Sequence, residues 1–277
     1  MMIRPSRTVR VLAAVAASGA LLTTAACSGD GGDGETRSAE VTASPKESRA
    51  AAPAARQTTT PAGGLTEEGA RAALITEADI EDDWTQVDDA EKWRDSLLIG
   101  DVDVDDFITA ETDAADCQRL LDGLYSEELL GKPSGASALT GFTQGDSRLL
   151  YQVSAYDRAE LDDSMNWLES LPEKCDQFTA GASGGEERTV QVVEYQLPDE
   201  GDERQGLEVT VQGTVDGSPA TLTLDIGVVR VGSDAITVTA GGLNGGEKDS
   251  VEAAVQQGTE RLKDVLAGRT PPASPTS

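Results

Sequence analysis

Between Leu207 and Ala240 the chain reads LEVTVQGTVDGSPATLTLDIGVVRVGSDAITVTA, three alternating apolar and polar stretches broken only by DG and GSD. A period of two sends successive side chains to opposite faces of a strand, and DG is a hairpin signal. This half of the chain is therefore committed to an antiparallel meander. Within the second stretch Leu222, Leu224, Ile226 and Val228 share a face until Val229 and Val231 change it, which predicts a bulge at Gly227. TVQVVEYQL supplies a preceding strand. RLLYQVSAYD, alternating through Leu149, Tyr151, Val153 and Ala155, pairs with SALTGF across the turn TQGD.

Helical periods flank these strands. In LTEEGARAALITEADI, Thr66 is placed to cap one short helix, with Glu67 and Glu68 in its first turn, and Thr76 with Asp79 has the spacing of a second cap. AADCQRLLDGLYSEELL reads as a helix that gathers Cys117, Leu120, Leu121, Leu124 and Leu129 near one face. RAELDDSMNWLESL buries Leu161, Met165 and Leu168 and is expected to stop at Pro172, leaving Cys175 in a loop. DSVEAAVQQGTERLKDVL closes the chain with Val251, Val255, Gly258 and Leu262 on one stripe. The predicted fold is α+β, an antiparallel meander with helices packed mainly on one face.

The N-terminus sets the compartment. Arg4, Arg7 and Arg10 precede VLAAVAASGALL, and small residues Thr24, Ala25 and Ala26 precede Cys27. This is an export signal, too short for the roughly 20 residues of a permanent span. It resembles a bacterial lipoprotein signal, in which Cys27 is acylated and becomes the new N-terminus, although Thr24 stands where a leucine is usual. Ordinary cleavage after TAA is the alternative. Residues 28–64 contain no Leu, Ile or aromatic side chain, so 27–64 is expected to be a disordered tether with a coil span of about 30–35 Å. The folded domain is expected over 65–268, with a short disordered tail at 269–277.

Removing Cys27 from the three cysteines leaves Cys117 and Cys175, and in an oxidising compartment these are expected to form a disulfide. Two separate buried thiols are the alternative. Two distant cysteines in a chain without histidine make no zinc set, and no cofactor is expected. The formal net charge is −28, and removal of the signal arginines takes it to about −31. That field repels nucleic acid and anionic surfaces, and it also keeps a protein soluble and monomeric.

Few motifs carry chemistry. DVDVDDFITAET has Asp101, Asp103 and Asp105 at the first three positions of a calcium loop, but Asp106 and Thr112 where glycine and glutamate belong. GASGGEE from Gly181 has no following lysine and carries Glu186 and Glu187, so it reads as a loop. Without histidine the usual triads are excluded, and neither a glycine-elbow serine nor a Ser-x-x-Lys motif is present. The acidic stretch Glu81 to Phe107 reads as a long, partly ordered loop. Its Trp84 and Trp93 are the candidate ligand-binding residues of a movable cover.

The export cysteine and its Thr- and Pro-rich leash, ALITEADIEDDW, DCQRLL, the strand pair, LESLPEKC and a meander ending in a long helix together resemble the extracytoplasmic sensor domain of certain actinobacterial Ser/Thr kinases. Free-standing lipoproteins carry similar domains. The kinase domain is absent from this sequence, and the kinase sensor typically has cysteines for two disulfides. The resemblance implies a helix-backed sheet with a ligand cleft over roughly 65–268, and it carries over no functional residue. The sequence thus points to a non-catalytic ligand-binding or sensor lipoprotein of the cell membrane, facing outside the cytoplasm. Its expected partners are the membrane, through the N-terminal lipid, and an unknown envelope ligand or protein. The alternatives are a structural or partner-binding envelope protein and a carboxylate-dependent cell-wall hydrolase.

Overall fold

The alternating runs do form one sheet. The computed structural model describes residues 64–271 except 81, 82, 96, 100, 101, 182–185, 216 and 244, so the export signal, Cys27 and nearly all of the tether lie outside the described residues. The helices are α1 (Glu67–Ala72), α2 (Asp105–Ile108), α3 (Ala115–Gly123), α4 (Arg158–Lys174) and α5 (Lys248–Leu266). The strands are β1 (Thr85–Val87), β2 (Leu98–Ile99), β3 (Val102–Asp103), β4 (Ser137–Gln144), β5 (Ser147–Ala155), β6 (Gln177–Gly181), β7 (Glu187–Tyr195), β8 (Glu203–Val215), β9 (Ser218–Val231) and β10 (Asp234–Gly242). Eight strands make an open antiparallel sheet in the order β1-β4-β5-β10-β9-β8-β7-β6, and β2 pairs with β3 alone.

The α+β antiparallel architecture is the expected one, with a more even division of helices between the two faces. On one face Leu150, Val190, Val209, Leu222 and Ile226 pack against Leu120 and Leu121 of α3 and Leu161, Met165 and Leu168 of α4. On the other, Phe142, Tyr151, Val229, Ile236 and Val238 pack against Ala70 of α1 and Val251, Val255 and Leu262 of α5. The central strand β10 is buried along its whole length because both layers cover it.

Gly227 is not a bulge. The register runs unbroken through Gly206↔Gly227 on one side and Val238↔Gly227 on the other. The apparent change of face arises because the end of β9 is covered on both sides, so apolar residues occupy both parities. A Cβ on Gly227 would stand 2.7 Å from Val251 and 2.9 Å from Val255, so the missing side chain lets α5 approach the sheet.

The helix signals hold at their starts better than at their ends. Thr66 accepts the Gly69 N–H at 3.0 Å, and Thr76 with Asp79 forms the expected box, though it opens a single 3₁₀ turn. The helix expected through Leu130 ends at Gly123; Tyr125 has a φ of 52°, and Leu129 and Leu130 still reach the core from the following turns. The next helix passes Pro172 and ends at Lys174, because a proline one turn from the C-terminus removes one N–H while Leu171 and Cys175 remain anchored in the core.

The acidic segment before Phe107 is not a loop. It contains the edge strand β1, a 3₁₀ turn at Ala90–Asp95, the β2–β3 pair and α2, and Trp84, Trp93, Leu97, Ile99 and Phe107 are all buried. It is part of the domain's wall and has no free-standing cover among the described residues.

Candidate functional site

Cys117 sits on the inward face of α3, so Gln118, Arg119 and Asp122 point outward by helical spacing. Cys117 and Cys175 are joined in a disulfide with Cα atoms 5.7 Å apart, which ties α3 to the end of α4. The Lys174 ammonium meets the Asp116 carboxylate at 2.8 Å beside it. The outer face of this pinned helix, with Arg94 and the turn holding Ser126 and Glu128, lines a pocket of about 560 Å³.

Two guanidinium groups border that pocket without a carboxylate partner among the described residues. Arg94 donates to the Leu124 carbonyl at 2.8 Å and to that of Leu121 at 3.4 Å, closing the C-terminal end of α3. Arg119 stacks 3.8 Å above the Trp167 ring and donates to Ser164 Oγ at 3.1 Å, while Ser164 Oγ donates to the Leu130 carbonyl. Burial pushes the Arg119 pKa down. Asp122 accepts from Gln118 Nε2 at 2.9 Å, so one of the two lining carboxylates is already engaged. The arrangement can offer planar, fixed donors to an anionic group.

The two tryptophans singled out by sequence do not meet. Trp84 lies under α5 and donates its indole N–H to Ser250 Oγ at 3.1 Å. Trp93 lies on the opposite face, packed edge-on against Tyr125 with centroids 6.1 Å apart and against Gly141. It also lines a small pocket of about 210 Å³ with Lys92, Leu98 and Arg148. Sequence reasoning passed over Arg94 and Arg119; the available signal was the placement of Arg119 two residues after a cysteine expected to be stapled.

Among the described residues no cluster of three or more His, Cys, Asp or Glu side chains could hold a metal ion, and Asp101 lies outside them. Asp103 instead accepts the Asp105 N–H at 3.1 Å at the start of α2. No helix among the described residues is long and apolar enough to cross a membrane.

Two carboxylates are buried within the sheet. Asp225 in β9 is 1% exposed, and burial first, with Glu208 and Glu247 adding repulsion, lifts its pKa to about 6; the Glu247 N–H and the Lys248 ammonium oppose the shift. Neither oxygen has a partner in good hydrogen-bond geometry among the described residues. Asp234 at the start of β10 is lifted to about 6 by burial alone.

No protein-family model matches the chain, and no curated protein does. Among solved structures it is similar to the extracellular domain of PknH from Mycobacterium tuberculosis, with 12% sequence identity and a TM-score of 0.44, over 72% of this chain and 97% of that chain. A likeness of that degree carries no argument about function.

Proposed function

We propose that this chain is a membrane-anchored, outward-facing, non-catalytic ligand-binding domain of the sensor type, held by lipid on Cys27. The observation that carries the ligand-binding reading is the pocket on α3. Its wall is fixed by a disulfide, and Arg94 and Arg119 are held by carbonyls, a hydroxyl and a ring, so their charge is left for a ligand. Groups held in place before binding lose little freedom on binding, which is where a preorganised site gains affinity. The ligand class that fits is a small molecule or lipid headgroup bearing a carboxylate or phosphate. The export signal and Cys27 support the location, and the tether length allows the domain to stand off the bilayer.

Native mass spectrometry of the protein purified from its own envelope tests this reading. The expected spectrum shows a retained anionic adduct that is lost in Arg119→Ala while the disulfide and melting temperature persist. A bare protein mass, or an adduct indifferent to Arg119, overturns it.

A further inference from the structure

A second surface, on the opposite side of the sheet and independent of the pocket, has a composition unlike the rest of the chain. On one face of strands β6 to β9, β7 and β8 meet α4, and β8 also meets α2, where Val190, Val211 and Leu222 are buried. Their other face carries the opposite parity. One row across the four strands, in register, is Thr179, Thr189, Gln212 and Thr221. The next is Gln177, Gln191, Thr210 and Thr223. Six of these eight are exposed and Thr210 and Thr223 are half-buried. The start of α5 stands beside the grid, with Lys248 over the Tyr195 ring and facing Asp225, and its body packs farther along β9 at Gly227.

These eight positions hold only threonine and glutamine in a chain in which 26% of residues are charged. Among the described residues none of their side chains makes a hydrogen bond within the protein, so hydroxyl and amide groups stand free over a pleated grid. Val193, a large apolar residue at 45% exposure, borders the rows beside Glu208. With strands about 4.8 Å apart and same-face residues about 6.8 Å apart, the rows and this border cover on the order of 200–300 Å².

That size and chemistry select an occupant. A stable protein interface needs about 800 Å² per partner with an aromatic or aliphatic centre, and this face is smaller and has neither. A second copy would bring its own net charge of −28 against it, and an anionic polymer would meet the same field. An uncharged chain rich in hydroxyl groups meets no such penalty and can exchange hydrogen bonds with every row. We propose that the open face of β6 to β9 docks a neutral polyhydroxylated polymer, a glycan strand laid across the threonine and glutamine rows.

Affinity electrophoresis of the purified full chain tests the proposal, in native gels cast with galactomannan, arabinan or β-glucan, with carboxymethylated β-glucan as the charged counterpart. The expected result is retardation in a neutral gel and its loss in the carboxymethylated one. Thr189→Glu combined with Thr210→Lys sets opposite charges diagonally on the face and leaves the net charge unchanged, so mobility in a plain gel is preserved while the retardation is lost. If that variant melts early, Gln212→Ala with Thr221→Ala removes two other donors of the first row by truncation. Unaltered mobility of the native chain in all three neutral gels overturns the proposal, as does retardation that survives in a folded face variant. Retardation abolished by Arg119→Ala alone assigns the binding to the pocket, and a dimer broken by the face variants assigns the face to a second copy; either result also overturns it.

Discussion

Replacing Asp225 with asparagine should stabilise this protein at neutral pH, with a sign and a window that follow from the raised pKa of its buried carboxyl. An aspartate titrates near 3.8 when unfolded, while in the fold Asp225 titrates near 6. Between those values the folded state holds a proton that the unfolded state has released, so stability falls as pH rises through the window and the deficit is complete above it. A difference of about two pH units corresponds to at most roughly 3 kcal/mol, an upper figure because nearby water and the Lys248 ammonium screen part of it. The groups facing the carboxylate are Glu208 on β8, Tyr195 on β7, and Glu247 and Lys248 at the start of α5, and repulsion by the glutamates adds to the cost of burial. The substituted amide would keep an oxygen for the Glu247 N–H and carry no charge. For a domain of about 200 residues the gain amounts to roughly 5–10 °C in Tm at pH 7.5, converging on the parent protein near pH 4. Differential scanning fluorimetry of Asp225→Asn across that range is the assay. An equal shift at both pH values would show that ionisation is not the cause. A loss of stability at pH 7.5 would show that the carboxylate favours the N-terminus of α5 by more than its burial costs.

Three further outcomes follow from the packing. Reducing the Cys117–Cys175 bond, which spans 58 positions, should cost up to roughly 4 kcal/mol, read as a lower Tm with dithiothreitol and a mass gain of two hydrogens; an unchanged Tm refutes it. Gly258→Ala should destabilise by about 1–3 kcal/mol despite alanine's higher helix propensity, because the new Cβ would overlap the Tyr151 hydroxyl; a higher midpoint in urea refutes it. Cys27→Ser should abolish metabolic labelling with palmitate and release the protein from the membrane fraction; labelled, membrane-held protein refutes the anchor.

The meander was legible because its strands have one wet face and one dry one, which writes a period of two into the residues from Leu207 to Val215. Legibility failed where that contrast is absent. Gln152 and Thr237 occupy positions that alternation assigns to solvent, yet they are 2% and 7% exposed, and Thr237 donates to Gln152 Oε1 at 3.3 Å while Gln152 Nε2 donates to the Glu127 carbonyl at 3.1 Å. A polar pair buried under the turns after α3 therefore reads as surface, and with it the second helix layer went unseen. β1 is an edge strand of three residues, below the length at which a period can be counted, and β6, of five, is at the lower end of that range. The acidic segment misled for a related reason: its buried residues, from Trp84 to Phe107, are spread over several short elements and the connections between them and show no shared period.

The pocket was illegible for a different reason, and that reason bears on what the site does. Arg94 and Arg119 are 25 positions apart in sequence, and each reads alone as one more charge in a charged chain. They border one pocket because Arg94 closes the end of α3 while α4 holds Arg119 from outside the same helix. In a chain with this surplus of acid, pairing either arginine with a carboxylate would have been the easiest arrangement. Both are instead held by neutral groups, which fix the guanidinium planes and leave their charge unneutralised by direct contact. An anion entering from solvent is repelled by the whole molecule and attracted only within a few ångströms of those planes. In the proposed anion site such a balance would favour ligands that fit the pocket over diffuse anionic surfaces, so the surplus of acid would sharpen its selectivity.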